Sequence, residues 1–467
     1  MRNLLLSIPF AFLLGCQSGP DYKAPKVDLP KLGEQSEVKK FTQEKWWEIF
    51  GIKTLNKLEE LALKHNADLK QAIANIDIAK ASAGISYSEL LPQISANASG
   101  TKNYISAKGT SFMPGLTQKR NVTDYLGTIG MSYEIDFFGK YRRANEAERA
   151  KLLATRAAKD AILLSVTAEV AKTYFLIRTL DAKLAIARRT FVTRQQMFNV
   201  YKSRFQNGYC TELDYLRVES EMASVKTTVI ALEENLAKAE TAMSVLIGCS
   251  PRVMMERKTS PDAALERLKV PGGVPSGIPS DILSRRPDIL QAEGMLIAAN
   301  AKIGEAKAAF FPSISLTGAF GVESRTLGKL FSPGSDMWNF SGNLNLPIFT
   351  GGRLSCMSDM AKANYRLALA SYEKIVQNAF KETLDALVSN RKSREIAVSR
   401  TRQVNALKKS YDIAKKQKDA GLIGLIDLLD VERGLLSGEM QLAEALQNQL
   451  NAIVDLCKAL GGGWKRL

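Results

Sequence analysis

The chain has 467 residues, a hydrophobic content of 45% and a formal net charge of +16. A basic chain can bind nucleic acid, but its 64 Lys and Arg residues are dispersed among 48 Asp and Glu residues. No aromatic nucleic-acid-reading motif accompanies them. The single histidine, His65, and the lack of a nucleophile elbow or phosphate loop argue against an enzyme. The composition therefore predicts no catalytic residues, no metal site, no cofactor and no nucleic-acid partner.

The amino terminus has the pattern of a secretory signal. Arg2 precedes the apolar stretch 4–14, and the sequence LLGC ends at Cys16. This pattern predicts a signal peptide over 1–15 and a diacylated Cys16 at the start of a lipidated segment, 16–60. The alternative is an ordinary signal peptide with an incidental cysteine. Gln17, rather than Asp, after the cysteine favours the outer membrane, and two acyl chains are sufficient for stable anchoring.

Two segments without glycine or proline indicate very long helices. Residues 140–207 and 353–420 are 68 residues each, and a glycine borders both segments at both ends. Because Gly and Pro are the main helix breakers, each segment is predicted to be one helix, on the order of 100 Å long at about 1.5 Å per residue.

The long segments belong to an internal repeat. NADLKQA at 66–72 corresponds to RPDILQA at 286–292, and GYCTELD at 208–214 corresponds to GLIGLID at 421–427. The repeat predicts two copies of one unit, repeat 1 at 61–250 and repeat 2 at 281–467, each with a helix, a β-hairpin and long helices. Segment 251–280, rich in Pro and Gly, is predicted to be the linker.

Alternating apolar and polar residues predict four strands. Three clear candidates are 125–137, 314–322 and 338–346, and 92–104 is weaker. Each spans about ten residues, which suits a tilted transmembrane strand, although a soluble hairpin would show the same pattern. After the signal, no segment has the apolar length of a spanning helix.

Four strands are too few to close a barrel, and an open edge in lipid leaves backbone groups unpaired. The strand pattern therefore predicts an oligomer. Two chains would supply eight strands, which leave an interior filled by side chains, and three chains would supply twelve, which leave a channel.

The chain resembles the TolC-type outer-membrane efflux proteins, specifically the lipoprotein branch that includes OprM and NodT-like factors. The resemblance spans nearly the whole mature chain. It rests on the lipobox and on DYKAP at 21–25, WWEIF at 46–50, LLP at 90–92, YEIDFFGK at 133–140, RRPD at 285–288, FPSI at 311–314 and ALGGGW at 459–464.

The resemblance implies an α+β membrane protein. Its expected form is a homotrimer whose four strands per chain build a twelve-stranded β-barrel, continued by a long α-helical barrel into the periplasm. The expected function is the exit duct of a tripartite efflux pump in a Gram-negative outer membrane. Its expected partners are outer-membrane lipid, a periplasmic adaptor and an inner-membrane pump of the RND type.

The resemblance also places the ends of both helical hairpins, 206–214 and 419–430, at the periplasmic tip. Exposed apolar residues there would dock the adaptor, and the predicted docking residues are Gly208, Gly421, Leu422, Ile423 and Leu425. The alternative is that the apolar turn packs within its own hairpin.

The resemblance implies a gate just beyond this turn, at Ile426, Asp427, Asp430 and Arg433. Asp427 and Asp430 share a helix face, and three copies of Asp430 would form an acidic ring partly held by Arg433. An N-cap role is the alternative for Asp427. The family's Arg-Tyr pair before the tip glycine corresponds here to Gln417 and Lys418.

Two other classes of function stay open. A periplasm-spanning structural lipoprotein without a pore would need no alternating strands. A porin-like channel would need at least eight strands in one chain. Cys249 and Cys457 fall at equivalent ends of the repeats and could pair, although isolated thiols are the default expectation.

Overall fold

The computed structural model describes residues 18–25, 45–104, 106, 121–249 and 285–462. The signal segment 1–15, Cys16 and the linker 251–280 lie outside these ranges. The chain divides into two compact units: unit 1 draws on Met1–Lys26, Ile76–Thr155 and Ala292–Tyr372, and unit 2 on Val27–Asn75, Arg156–Gln291 and Glu373–Leu467.

Seven α-helices lie within the described ranges. They are α1 (Lys53–His65), α2 (Ala67–Ser88), α3 (Lys140–Gln206), α4 (Glu212–Leu246), α5 (Pro287–Ala308), α6 (Arg353–Asp419) and α7 (Leu425–Ala459). The two predicted long helices are confirmed, since α3 and α6 have 67 residues each. None of the helices in the described part of the chain combines the length and the apolar character that crossing a membrane requires.

The lengths of the helices recur in the two halves of the chain. Helices α2 and α5 each have 22 residues, and α4 and α7 each have 35. The order helix, two strands, long helix, shorter helix also occurs twice.

Four strands form one antiparallel sheet in unit 1, with β1 (Gln93–Tyr104) and β4 (Asp336–Asn345) at its edges and β2 (Asn121–Ile135) and β3 (Ser313–Ser324) between them. All four predicted strands are confirmed. The register pairs Ile129 with Phe320 and Phe320 with Trp338, so apolar side chains lie opposite one another on one face. Thr317 lies opposite Ser132 and Ser341 on the other face, and its hydroxyl is 2.7 Å from that of Ser341.

The turn from β2 into α3 explains much of the motif at 133–140. The carboxylate of Asp136 accepts hydrogen bonds from the backbone N–H groups of Tyr141 (3.2 Å) and Arg142 (2.8 Å). It also accepts from Nε of Arg142 at 3.3 Å. These N–H groups belong to the first turn of α3, which has no intrahelical partners for them. Asp136 therefore fixes the direction in which the helix leaves the sheet.

The core of unit 2 accounts for the motif at 46–50. Trp46 and Trp47 are almost fully buried, and their rings meet edge to face at 6.0 Å. The ring of Phe50 contacts that of Phe175 on α3 with 5.0 Å between centroids. The described cysteines, Cys210, Cys249, Cys356 and Cys457, are free thiols, so the alternative of a Cys249–Cys457 disulfide is not adopted by this structure.

Candidate functional site

The long helices α3 and α6 both end within unit 2, in the same backbone motif. Gly208 and Gly421 follow α3 and α6 with left-handed φ angles of 75° and 74°. The N–H of Tyr209 bonds the carbonyl of Arg204 at 2.8 Å, and the N–H of Leu422 bonds that of Gln417 at 2.8 Å. Together with the bonds from each glycine N–H, these are Schellman motifs. The two glycines are therefore needed to turn the chain at both hairpin ends.

The residue after each glycine is left uncovered. In a Schellman motif this residue commonly makes a hydrophobic contact with the helix residue five positions earlier. That position holds Arg204 in the first hairpin and Gln417 in the second, and both are polar. Tyr209 is 82% exposed and Leu422 is 75% exposed. Each hairpin end thus presents one large apolar side chain without an intramolecular apolar partner of the usual kind.

The other predicted docking residues differ in exposure. Leu425 is buried, and it packs with Leu429, Tyr201 and Val218 in a small apolar cluster. This placement corrects the prediction that Leu425 is available for docking, since it packs against residues of the other hairpin. Ile423 is half-buried, and the neighbouring Ile426, which was predicted as a gate residue, is 48% exposed.

Asp427 caps the start of α7 from the third position after the N-cap residue. The N-cap of α7 is Gly424, whose backbone N–H donates to a carboxylate oxygen of Asp427 at 3.0 Å. Asp214 lies at the same position of α4, where its N–H donates to the hydroxyl of the N-cap Thr211 at 3.2 Å. Asp427 is therefore occupied by the start of its own helix.

Asp430 and Arg433 meet on the exposed side of α7. Their side chains form an ion pair of 3.1 Å, and both are about 60% exposed in the single chain (62% and 59%). Arg433 also forms a short ion pair with Glu221 of α4. Arg433 thus holds two carboxylates of its own chain, one on α4 and one on α7.

A buried ion pair lies directly beneath this surface pair. The guanidinium of Arg194 on α3 is 1% exposed and lies 3.1 Å from the carboxylate of Glu432, which is 8% exposed. Glu221 approaches Arg194 at 4.0 Å, and so links the buried pair to Arg433. The continuous chain of charges connects three helices, α3, α4 and α7.

Burial raises the pKa of Glu432 above its usual range, and the opposing effect of Arg194 does not cancel the shift. The folded state therefore favours the protonated carboxyl more than the unfolded state does. The contribution of the Glu432 carboxyl to the free energy of unfolding is fully present below the pKa of an unfolded glutamate, about 4.3. This contribution is lost as the pH rises through the raised pKa of the folded state. The cost of burying both charges offsets much of the attraction in this pair.

The Arg194–Glu432 pair is the first of a ladder of ion pairs between α3 and α7. The others, each between α3 and α7, are Arg189–Glu439 at 2.5 Å, Lys183–Glu444 at 3.4 Å and Lys172–Asp455 at 2.5 Å. As the α3 number falls along the ladder, the α7 number rises by a nearly equal amount, which is the pattern of two antiparallel helices in one register. Every cation lies on α3 and every anion on α7.

Sequence reasoning identified Asp430 and Arg433 but missed Arg194, Glu221 and Glu432. One signal for Glu432 exists, because it follows Leu425 and Leu429 at the spacing of a buried helix face. A carboxylate at such a position needs a buried partner. Nothing in the local sequence identifies that partner as Arg194, since it lies in the other half of the chain.

The comparisons with known proteins agree with this architecture. Residues 58–249 and 278–462 match the family model described as outer membrane efflux protein. The antibiotic efflux pump outer membrane protein ArpC of Pseudomonas putida is 32% identical over 99% of this chain and 96% of its own length. The cation efflux system protein CusC of Escherichia coli is 30% identical over 98% of this chain and 99% of its own length.

A solved structure of an outer membrane channel matches nearly the whole chain. The CmeC outer membrane channel of Campylobacter jejuni matches with a TM-score of 0.90 at 29% identity, over 96% of both chains. The chain belongs to the outer membrane efflux protein family, and it serves as the outer-membrane exit duct of an efflux system. The resemblance found in the sequence is confirmed.

We expect the Arg194→Met substitution to destabilise unit 2, because it leaves Glu432 buried without its partner. Breaking a buried pair in this way costs about 3–5 kcal/mol. Lys183→Met is the matched control, since its partner Glu444 is 60% exposed and a pair of that kind contributes about 0–1 kcal/mol.

The double variant Arg194→Met/Glu432→Leu should recover most of the stability that Arg194→Met loses. The measurement is thermal unfolding in mild detergent, followed by the helical circular dichroism signal. If Arg194→Met melts no lower than Lys183→Met, the buried pair does not fix the α3–α7 contact.

Proposed function

We propose that three copies of this chain pool their strands into a twelve-stranded barrel and form the outer-membrane duct of a tripartite efflux pump. The observation that supports this most is the four-stranded sheet with two open edges, β1 and β4. An edge strand presents unpaired N–H and C=O groups, and in a bilayer such groups must be paired. Joining β4 of one copy to β1 of the next closes the ring, and twelve strands leave room for a channel.

The two faces of the sheet suit this placement. Phe320, Trp338 and Phe340 are 65–75% exposed on the single chain, which would be costly for a sheet in water. On the outside of a barrel these side chains would face lipid. The opposite face, with Ser132, Thr317 and Ser341, would line an aqueous lumen, as in other outer-membrane barrels.

The two halves of each chain, 61–250 and 281–467, are proposed to be copies of one unit. The equal lengths of α3 and α6, and of α4 and α7, support this. Three chains would thus present six similar hairpins, whose helices would continue the β-barrel as a helical barrel into the periplasm of a Gram-negative cell.

The cargo is proposed to be small molecules such as drugs and other toxic compounds, delivered by an inner-membrane pump of the RND type. The relatives' names point to antibiotics for ArpC and to cations for CusC. Relatives with such different cargo support a permissive duct, in which the pump makes the selection.

The hairpin ends are proposed to dock the periplasmic adaptor, with Tyr209 and Leu422 as the main apolar contacts. Both are large, strongly exposed side chains at the turns formed by Gly208 and Gly421. Ile426 and the half-buried Ile423 extend the apolar surface of the second hairpin. Leu425 would support the turn from within.

We expect Leu422→Ser to weaken adaptor binding and drug efflux without lowering the melting temperature, because this side chain is exposed. Leu327→Ser is the matched control, since Leu327 is also an exposed leucine (63%) but lies in the β3–β4 connection. Efflux is measured in cells that also hold the cognate pump and adaptor, and binding by cross-linking to the adaptor. Equal efflux and cross-linking in both variants would exclude the second hairpin as a docking site.

The gate is proposed to lie at the start of α7, where three copies of Asp430 would form an acidic ring flanked by Ile426 and Asp427. Like charges so close together repel unless a cation offsets them. The Asp430–Arg433 and Arg433–Glu221 pairs would supply that offset and hold the ring closed. Because three carboxylates would still lie close together, the ring would also bind multivalent cations.

We expect Asp430→Ala to raise single-channel conductance in planar bilayers and to weaken block by trivalent cations added from the periplasmic side. Asp427→Ala should cost about 1 kcal/mol of local stability with little effect on block, because the Asp427 carboxylate accepts from Gly424. If both variants conduct and block like the parent, the acidic ring lies elsewhere.

Acylation of Cys16 completes the proposal and would anchor each copy to the outer membrane. The pattern LLGC before residue 17 is its basis. A periplasm-spanning lipoprotein without a pore remains the alternative function, but the sheet's exposed apolar face has no role in such a protein.

A further inference from the structure

Residues 18–22, shortly after Cys16, pack into a complementary site on the rest of unit 1. The backbone N–H of Ser18 donates to the carbonyl of Phe138 at 3.2 Å. The carbonyl of Ser18 accepts from Nε of Arg143 at 3.1 Å, and the carbonyl of Pro20 accepts from the side-chain amide of Asn300 at 2.9 Å. Backbone polar groups along this short segment are thus matched to partners on α3, α5 and the β2–α3 turn.

Arg143 is the centre of this site. Its side chain is only 2% exposed, and it forms ion pairs with Asp21 at 2.9 Å and with Glu146 at 2.8 Å. A buried guanidinium needs such partners, and one of them comes from the amino-terminal segment itself. Docking of the segment therefore completes the charge pairing of a buried group.

Two glycines allow the close approach of the segment. A Cβ atom on Gly304 of α5 would lie 2.5 Å from the carbonyl oxygen of Ser18 and 2.9 Å from the side chain of Arg143. A Cβ atom on Gly19 would lie 2.4 Å from the Cα atom of Gly304. Distances below 3 Å exclude a side chain, so the segment fits only because both positions are glycine.

The direction of the segment follows from its partners on α5. Gly19 lies at Gly304, Pro20 at Asn300, and the hydroxyl of Tyr22 donates to Glu293 at 3.3 Å. The segment therefore runs antiparallel to α5, and its amino-terminal end is at the end of α5 that leads into β3. Cys16 precedes Ser18 by two residues, and two residues of extended chain span at most about 7 Å.

The ends of the strands at this level form an apolar rim. Phe138 follows β2, and its ring stacks on that of Phe311, just before β3, with centroids 4.6 Å apart. Ile348 and Phe349, which follow β4, are 93% and 89% exposed. Rings of aromatic residues at strand ends are typical of a membrane interface.

We propose that the seat formed by Arg143, Asn300 and Gly304 holds residues 18–22 in one register, so that the acyl chains on Cys16 enter the bilayer beside this apolar rim. The inference rests on the proposed acylation of Cys16. It makes the lipid a fixed part of the barrel's boundary rather than the end of a loose tether. The apolar rim is covered by the acyl chains on Cys16 of the same chain.

The test uses the full-length protein in cells fed with a photoreactive palmitate. After irradiation, mass spectrometry maps the adducts on the protein. In the parent, adducts should concentrate on residues at the rim, around Phe311 and Phe349. Gly304→Val should reduce these adducts several-fold, because the valine occupies the position of the Ser18 carbonyl.

Two further variants keep the test decisive. Gly84→Val makes the same change near the carboxyl end of α2, where a Cβ would meet nothing within 4 Å. It should leave the adduct map unchanged. Asp21→Ala removes one ion-pair partner of Arg143 at an exposed position (86%) without adding bulk, and Glu146 remains to pair that guanidinium. Asp21→Ala should reduce the rim adducts as Gly304→Val does. Because Asp21 is not part of α5, this variant separates loss of the seat from a disturbance of that helix.

The outcomes separate the two proposals. If Cys16→Ser retains the palmitate label, or the parent has no label, acylation of Cys16 fails and this inference fails with it. If the parent is labelled at Cys16 but Gly304→Val and Asp21→Ala give the parent's adduct map, acylation stands and the seat is overturned.

Discussion

A ladder of ion pairs between α3 and α7 fixes the contact on which the hairpin ends depend. Each rung joins a cation of the first half of the chain to an anion of the second half, from Arg194–Glu432 to Lys172–Asp455. Long apolar helices can pack in several registers, because similar ridges and grooves repeat along them. A shift by one turn would separate every cation from its anion at once. The ladder therefore selects one register among several that apolar packing alone would allow.

The rungs contribute in different ways. Arg194 and Glu432 are both buried, so the cost of removing them from water offsets much of their attraction. Lys183 and Glu444 are more exposed, and solvent screens such a pair. The apolar cluster around Leu425 and Val218 stabilises the adjoining hairpin ends by burial. Charge pairing sets the register, and apolar packing supplies the stability. With the register fixed, Tyr209 and Leu422 are left as the uncovered apolar side chains at the two turns.

The fold was largely predictable because its strongest determinants are local. Glycine and proline terminate helices, so the segments that lack them gave the extent of α3 and α6 to within one residue. Strand alternation gave the β1–β4 sheet because the side-chain period of a strand is two residues. The site was less predictable. Exposure of Leu422 and burial of Leu425 depend on the other hairpin, and the Arg194–Glu432 pair depends on residues far apart in the sequence. The N-cap of α7, the alternative role predicted for Asp427, is Gly424.

The proposed channel requires three copies of the chain, whose four-stranded sheets together close one barrel. Native mass spectrometry of the full-length protein, released from mild detergent, counts the copies directly. We expect a complex of about three times the 51.3 kDa of one chain, less the signal peptides and with lipid added, since three chains supply twelve strands. A predominant dimer would supply eight strands, whose interior is filled by side chains, and a stable monomer would leave both sheet edges open. Either result would contradict the account.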